Sequence, residues 1–318
     1  MPLPDNLVVF QERLQSIIPS HSWQTVWNSF QIEKPLILRV NTLQAQPEHI
    51  IASLITQNID ATQIDWKPDC LVVPVHQRRT ALASTIYQQG LIYSQNLSSQ
   101  LAPYVLAPEA NEEVLDLCAA PGGKTTQIAC IMHGTGRIAA VESVKSRFFK
   151  LKANIKLQGI NNIKTYLADG RGIGRKTPER FDRVLIDAPC SSESRIQLNT
   201  PKSYEYWRIK KVKEMSRKQQ TLLYSGFQCL KPGGILVYST CSFSPEENEA
   251  VVSKLVQRYG DALSVEAIKL PLSNIQAGIT QWQKRNYDDS VKHCVRILPN
   301  ELMDGFFLCK IRKLKSTA

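Results

Sequence analysis

The sequence predicts a doubly wound α/β fold preceded by a smaller α+β domain. From residue 112 onward, short apolar runs alternate with helical patterns, beginning with EEVLDLC and GGKTTQIACIMH. Repeated units of this kind form a mainly parallel sheet that binds ligands at the carboxyl ends of its strands. Before that point the periodicity is mixed, and it ends in a Pro-containing linker at about residue 108. We therefore predict an N-terminal α+β domain over 1–107 and a second domain over 108–318.

Each predicted element follows from its apolar spacing and its flanking residues. In the first domain we predict helices over 5–18, 20–30, 47–58 and 90–108, and strands over 35–43 and 69–75. In the second domain we predict strands over 112–118, 137–142, 162–168, 181–189 and 234–240, and helices over 122–133, 144–159, 208–229 and 245–259. Two further strands, over 293–300 and 305–313, are expected to close the same sheet.

Composition indicates a globular protein with a sizeable core. The 318 residues are 43% hydrophobic and 21% charged, and no apolar run approaches the roughly 20 residues of a membrane helix. The start, MPLPDNLVVFQERLQ, has no basic leader before an apolar block. None of the eight cysteines are spaced C-x-x-C, which predicts reduced thiols. We expect a cytoplasmic monomer without a metal, because His293 and Cys294 alone do not make a metal site.

The net charge of +11 is concentrated in one segment of the chain. Residues 1–107 carry six basic and seven acidic residues, whereas residues 144–218 carry 19 basic and seven acidic ones, a net of +12. Any single basic stretch could instead be the solvent-exposed face of a helix that binds no partner. A surplus gathered around one site favours a polyanionic partner such as a nucleic acid, because neutralised phosphates supply most non-specific affinity.

A glycine turn, DLCAAPGGKTT, follows the first strand of the second domain. A phosphate loop would need a glycine where Cys118 stands, and a dinucleotide fingerprint needs more than the adjacent Gly122 and Gly123. A nucleoside without a pyrophosphate, such as S-adenosylmethionine, requires only one tight turn. Such a ligand also requires an acidic residue after the second strand of this domain, to bind the ribose hydroxyls. It requires a polar residue after the third strand, to bind the adenine. Glu142 and Asp169 occupy those positions, so we favour this interpretation.

Two cysteines are predicted at the same rim of the sheet. Cys190 follows one strand in LIDAPC, and Cys241 follows another in YSTC. Carbon 5 of a pyrimidine takes a methyl group only after a thiolate has added at carbon 6, and two thiols beside a methyl donor suit that chemistry. Asp187 could supply the acid or hydrogen-bonding group at ring N3 and the exocyclic amine. These residues alone leave open which thiol attacks. The alternative to a catalytic role is that each cysteine packs as a small hydrophobic residue.

The chain resembles the Sun/Nop-type RNA cytosine-5 methyltransferases. The resemblance runs through RVNTL, DLCAAPGGKT, Glu142, ADGRG, DAPCSS, CLKPGGILVYSTCSFSPEENE and the closing DGFF. It implies a class I methyltransferase Rossmann-like fold, S-adenosylmethionine as cofactor and rRNA or tRNA as partner. It also implies that Cys241 is the nucleophile, that Cys190 assists release of the methylated RNA, and that the target base is flipped out. The cofactor contacts that it implies are Cys118, Ala119, Ala120, Pro121, Gly122, Gly123, Lys124, Glu142, Asp169 and Asp187, the last also facing the base.

The chain departs from the family pattern at two places. DAPC usually continues with Ser-Gly, but here Ser191 is followed by Ser192 and Glu193, as in mitochondrial-type members. Asn300 follows Pro299 where a histidine is expected. No appended PUA-like or NusB-like domain fits the length, so residues 1–107 are expected to do any additional RNA binding.

Three alternatives accompany this prediction. A DNA cytosine methyltransferase would use Cys190 as the attacking thiol. An RNA-binding assembly factor could keep the fold without turnover, although Asp187, Cys190 and Cys241 are all present. A phosphate-loop ATPase is disfavoured by the missing glycine.

Overall fold

The computed structural model describes residues 4–317. Within this range, a four-stranded sheet lies in the first hundred residues, a nine-stranded sheet in the remainder, and one short hairpin stands apart. No helix among these residues is both long enough and apolar enough to cross a membrane.

The smaller sheet is antiparallel, with the order β2-β3-β1-β4. Its apolar face packs on helices through residues such as Leu38, Val40, Ile50 and Leu54. The elements of this part of the chain are α1 (Asp5–Ile17), α2 (Trp23–Ser29), β1 (Leu36–Val40), α3 (Pro47–Thr56), β2 (Thr62–Ile64), β3 (Lys67–Val73), α4 (Arg78–Ala83), α5 (Thr85–Gln88), β4 (Ile92–Ser94) and α6 (Leu97–Leu106).

The segment predicted as one helix over 90–108 contains a strand and then a helix. β4 pairs antiparallel with β1, with Ser94 opposite Leu38, and α6 starts only after Asn96. The Asn96 Oδ1 accepts a hydrogen bond from the Ser98 amide at 3.0 Å, which caps the helix. The helix prediction is therefore wrong over Ile92–Ser94, because the free edge of β1 decides the conformation of a short apolar run.

The larger sheet is built from the repeated strand and helix units of the second part of the chain. Its elements, with the separate β12–β13 hairpin, are β5 (Glu113–Asp116), α7 (Gly123–Ile131), β6 (Arg137–Glu142), α8 (Lys145–Leu157), β7 (Ile163–Leu167), β8 (Phe181–Asp187), α9 (Ile209–Cys229), β9 (Leu230–Thr240), α10 (Glu249–Tyr259), β10 (Leu263–Glu266), β11 (Ile275–Ala277), β12 (Gln281–Trp282), β13 (Arg285–Asn286), β14 (Val295–Ile297) and β15 (Phe306–Lys313).

The order of this sheet is β11-β14-β15-β9-β8-β5-β6-β7, and β10 pairs with β15. The five strands from β9 to β7 are parallel, and β15 adds antiparallel to β9. The predicted doubly wound sheet is thus confirmed, and so are the two closing strands near the end of the chain. Strand order reverses between β5 and β8, which is where such sheets bind their ligands.

The N-terminal helices α1 and α2 pack against loops of the second part of the chain. Phe10 lies edge-on to Trp207 with ring centroids 5.3 Å apart, and Phe30 contacts Phe243 at 6.0 Å. Trp282 belongs to the same buried cluster. Each buried aromatic side chain of this kind contributes about 2 kcal/mol or more to stability. The division at residue 107 remains a prediction.

Arg39, from RVNTL, joins the two sheets. Its side chain is 0% exposed, and its guanidinium donates to Gln95 Oε1 at 3.0 Å and to Thr126 Oγ1 on α7 at 2.8 Å. It also donates to Gln158 Oε1 at 3.3 Å. A buried charge is costly unless its donors are satisfied, so these acceptors hold Arg39 in place. The motif therefore connects the smaller sheet to the larger one.

Candidate active site

A cavity of about 710 Å³ opens at the carboxyl ends of the parallel strands, and most of the predicted site residues line it. Those that do are Cys118, Ala119, Ala120, Pro121, Gly123, Lys124, Glu142, Asp169, Asp187, Cys190 and Cys241. Gly122, in the same turn, is buried and does not line the cavity. One cavity therefore brings together the glycine turn, the acidic strand ends and both cysteines.

The glycine turn between β5 and α7 has a shape that other residues would disturb. Gly122 has a φ of +111°, in the region that glycine prefers. A Cβ at Gly123 would lie 2.8 Å from Cε1 of Tyr93. The Pro121 carbonyl accepts from Asn154 Nδ2 at 2.8 Å, and the Ala120 carbonyl accepts from Arg147 at 2.6 Å. The turn is thereby fixed with the first amides of α7 at the cavity, where a helix favours anionic groups.

Asp116, the last residue of β5, adds a carboxylate that the sequence analysis missed. It is 1% exposed and lines the cavity. Thr125 Oγ1 donates to its Oδ2 at 2.7 Å, while Oδ1 has no hydrogen-bond partner among residues 4–317. Burial raises the pKa of Asp116 to about 6. Its place at the end of the first strand was the signal that could have found it.

Glu142 and Asp169 reach the cavity from neighbouring strand ends. Glu142 is 3% exposed, and its Oε1 accepts from the Val144 amide at 2.8 Å. Asp169 is more exposed and accepts from the Arg171 amide at 3.0 Å and from its guanidinium at 2.6 Å. These hydrogen bonds lower the pKa of Asp169. Both residues thus present negative charge to the cavity, with Asp169 partly neutralised by Arg171.

Asp187, at the end of β8, forms an ion pair with Lys124. Lys124 Nζ lies 2.7 Å from Asp187 Oδ2 and donates to Ser99 Oγ at 2.6 Å. Ser239 Oγ donates to the other oxygen of Asp187 at 3.0 Å. The pair offers a hydrogen-bond acceptor and a hydrogen-bond donor side by side.

The sulfur atoms of Cys190 and Cys241 lie 3.2 Å apart. They follow the adjacent parallel strands β8 and β9, so their closeness comes directly from the topology. The hydrogen bond between the thiols lowers the pKa of Cys241 to about 7, and Arg195 and Ser192 add to this effect, whereas burial opposes it. The same thiol pair and burial raise the pKa of Cys190 well above its ordinary value. We assign the thiolate to Cys241, because Arg195 favours the charged form there.

The buried carboxylate of Glu193 holds the two cysteine loops together. Glu193 is 1% exposed, and it accepts from Trp207 Nε1 at 3.0 Å and from the amides of Phe243 and Ser244 at 2.7 and 2.8 Å. The preceding Ser192 has a φ of +59°, in the left-handed region. The residue that replaces the usual glycine therefore sits in a conformation that favours glycine.

Glu247 forms a second buried link between these loops. It accepts from the Ser191 amide at 2.9 Å, from Gln219 Nε2 at 2.7 Å and from Ser242 Oγ at 2.9 Å. Burial, and after it the neighbouring Glu193, raise the pKa of Glu247 to about 8. The positions of both thiols thus depend on buried polar contacts that lie outside the cavity.

Sequence reasoning also missed several other residues that line the cavity. Arg195 is one of them, and the segment from Tyr93 to Ser99 forms a wall contributed by the first part of the chain. Phe306, from the closing DGFF, lies 5.5 Å below Lys124 Nζ. Among residues 4–317, no group of three or more His, Cys, Asp or Glu side chains could hold a metal ion.

Comparisons with known proteins identify the family of this chain. Residues 103–312 match the family described as 16S rRNA methyltransferase RsmB/F. The chain belongs to this family. Residues 9–78 match the ferredoxin-like domain of the same group. The predicted resemblance to Sun/Nop-type methyltransferases is thereby confirmed.

Individual relatives cover nearly the whole chain. It is 34% identical over 310 residues to ribosomal RNA small subunit methyltransferase F of Vibrio campbellii, which matches 96% of this chain and 63% of the relative. It is 38% identical over 284 residues to the tRNA (cytosine(49)-C(5))-methyltransferase of Pyrococcus abyssi, covering 88% and 89% of the two chains. The chain thus spans just under two thirds of the length of the Vibrio relative.

A solved structure also shares the fold. The methyltransferase homolog protein from Pyrococcus horikoshii superposes with a TM-score of 0.81 at 28% identity, covering 98% of each chain. NSun6 from the same organism, solved with SFG, has a TM-score of 0.82 at 22% identity and supports the fold alone.

Proposed function

We propose that this chain is an S-adenosylmethionine-dependent RNA cytosine-C5 methyltransferase in which Cys241 attacks carbon 6 of the target base. One observation carries the proposal. The two thiols lie 3.2 Å apart in the cavity that also contains Asp187 and the glycine turn. The proposal extends to the whole set of predicted site residues and to the RNA-binding role of residues 1–107.

The residues of the cavity fit the cofactor. Asp116 Oδ1 is buried and lacks a hydrogen-bond partner within residues 4–317, which suits an ammonium donor. We assign the carboxylate of Glu142 to the ribose hydroxyls and that of Asp169 to the adenine amine, and the position of both residues in the cavity lining supports this. The glycine turn would let the backbone approach the methionine part closely. When bound, S-adenosylmethionine supplies an electrophilic methyl group on its sulfonium sulfur.

Addition of Cys241 to the base is the first chemical step of the proposal. The thiolate sulfur forms a bond to carbon 6, and the ring electrons move towards carbon 5 and N3. The carboxylate of Asp187 accepts a hydrogen bond from the exocyclic amine, and Lys124 Nζ, 2.7 Å from it, donates to N3. Because these groups are already paired and oriented, they stabilise the charge that develops on the ring.

Release of the product completes the cycle. After carbon 5 has gained the methyl group, its proton leaves to a base, the double bond to carbon 6 reforms and Cys241 departs as a thiolate. Cys190 assists this departure, because its thiol is adjacent to the leaving sulfur and can donate a hydrogen bond to it. Its raised pKa keeps it protonated for that purpose.

The substrate class is supported by relatives and charge. The relatives are named as rRNA and tRNA methyltransferases, and residues 144–218 carry a net charge of +12. We propose an rRNA or a tRNA as the substrate. We also keep the expectation of a cytoplasmic monomer, with which the eight unpaired thiols are compatible.

Transfer of labelled methyl groups tests the proposal. The purified chain should place 5-methylcytosine in total RNA from a deletion strain, and bisulfite sequencing of that RNA should locate the cytosine. Cys241→Ala should abolish the transfer. Absence of 5-methylcytosine, together with an unaffected Cys241→Ala variant, would refute the proposal.

Trapping distinguishes the two cysteines and the rival functions. RNA that contains 5-azacytidine should crosslink through Cys241, and Cys190→Ala should accumulate the covalent RNA adduct. A crosslink through Cys190 on DNA would instead indicate a DNA methyltransferase. Cofactor binding without any methylation would indicate an assembly factor that has lost turnover.

A further inference from the structure

A second cavity of about 570 Å³ adjoins the candidate active site. It lies between residues 29–37 of the first part of the chain and residues 194–199 that follow β8. Five residues line both cavities, namely Ser94, Asn96, Ser194, Arg195 and Asp304. The two cavities therefore share a wall. The volume of the second lies within the range of about 300–1,000 Å³ that is typical of small-molecule sites.

Among the charged residues that line the second cavity, one cation has no salt-bridge partner within residues 4–317. Lys34 pairs with Asp304 at 2.6 Å, and Arg78 pairs with Glu33 at 3.5 Å. Arg195 is exposed as a residue, and its guanidinium has neither a hydrogen bond nor a salt bridge to any residue in the range 4–317, although its charge interacts with the Cys241 thiolate. The lining thus carries a net positive charge located at the junction of the two cavities.

A second polar group at the junction also lacks a partner. Ser194 is 4% exposed, and its Oγ has no hydrogen-bond partner among the described residues. Its amide donates to the Cys241 carbonyl at 3.0 Å, which fixes the junction directly beside the proposed nucleophile. Ile32, which is 40% exposed, gives the second cavity an apolar surface.

We propose that the second cavity binds the nucleotide adjacent to the target cytosine, and that Arg195 binds the phosphate that joins the two. This inference rests on the proposed function, which supplies the RNA. A guanidinium whose donors make no hydrogen bond within residues 4–317 suits a phosphate, because those donors match two phosphate oxygens. The apolar side chain of Ile32 provides a surface for a base. The neighbouring Ser194 hydroxyl offers one further donor to the sugar or the phosphate.

Removal of the charge at Arg195 is the first test. The probe is a short fluorescent single-stranded oligouridylate with one central cytidine, and binding is titrated at several salt concentrations. Arg195→Gln should weaken binding about tenfold and reduce the slope of log affinity against log salt by about 0.7. Arg195→Lys should keep the slope. The matched control is Arg285→Gln, since Arg285 is exposed, lies outside the basic segment 144–218 and lines neither cavity.

Removal of the apolar surface is the second test. Cytidine monophosphate is compared with dinucleotides extended by uridine on the 5′ or on the 3′ side. One of the two extensions should raise affinity several-fold, and Ile32→Glu should abolish that gain. The control is Ile55→Glu, because Ile55 is 62% exposed and lies on α3 away from both cavities.

The outcomes separate this inference from the proposed function. If the unmodified protein methylates RNA but Arg195→Gln binds the oligonucleotide with unchanged affinity and slope, the inference is wrong and the function stands. If Arg195→Gln changes only the pH dependence of methyl transfer, Arg195 serves the Cys241 thiolate and not a phosphate. If the unmodified protein neither binds nor methylates RNA, the proposed function itself fails.

Discussion

Replacement of Cys190 by alanine should raise the pKa of Cys241. The hydrogen bond from the Cys190 thiol is the largest of the influences that lower the pKa of Cys241 to about 7. Alanine removes that donor and leaves burial, which acts in the opposite direction. The pKa of Cys241 should therefore move one to two units towards about 9, the ordinary value for a thiol.

The effect on reactivity is smaller than the effect on ionisation. At pH 7 the fraction of Cys241 thiolate should fall from about one half to between about a tenth and a hundredth. A more basic thiolate is also more nucleophilic, by a factor of about three to eight for such a shift. The net result at pH 7 is alkylation that is about two to six times slower, with its pH midpoint one to two units higher.

Timed iodoacetamide labelling, followed by mass spectrometry of the Cys241 peptide, measures this midpoint. Cys190→Ser is the matched control, because its hydroxyl still donates a hydrogen bond and should keep the midpoint close to that of the unmodified protein. An identical midpoint in the alanine variant would show that the thiol pair does not set the pKa of Cys241. A raised midpoint in the serine variant as well would implicate packing instead of the donor.

Three further changes test the surroundings of the site. Ser192→Gly should raise Tm by a few degrees, because it relieves about 1 kcal/mol of left-handed strain, and a lower Tm would contradict this. Arg39→Met should lower the free energy of unfolding in urea by about 2–4 kcal/mol, since buried acceptors lose their donor, and a loss below about 1 kcal/mol would argue against this role. The pKa of Glu247, about 8 in the folded chain, lies above its ordinary value of about 4.5, so its contribution to stability is present below pH 4.5 and lost as pH rises through 8. Glu247→Gln should therefore flatten the dependence of unfolding free energy on pH between 5 and 8, and parallel profiles for the two proteins would refute this.

Much of the larger sheet could be predicted because its information is local. Each buried strand there is a continuous apolar run bounded by a turn, and each helix repeats its apolar residues at helical spacing. The strand at Ile92–Ser94 could not be predicted in this way. Its conformation depends on pairing with Leu38 and Val40, which lie some fifty residues earlier in the chain.

The same distinction applies to the candidate site. Cys190 and Cys241 could be placed on one rim, because parallel strands end on the same side of a sheet. The position of Arg195 could not be inferred, since its loop is fixed by the contacts of Glu193 with Trp207 and Phe243. Asp116 was overlooked although, like Glu142, it is an acidic residue at the end of a parallel strand.

The wall that Tyr93 to Ser99 contribute to the cavity has a consequence for protein engineering. Lys124 donates a hydrogen bond to Ser99 in this wall. Arg39, on β1, donates a hydrogen bond to Thr126 on α7 and so connects the smaller sheet to the larger one. A chimera that joins the larger sheet of this chain to the first hundred residues of a relative would replace part of the pocket together with the domain. The two halves are therefore poor candidates for free exchange, and a graft intended to alter RNA choice should carry the segment from Tyr93 to Ser99 with the larger sheet.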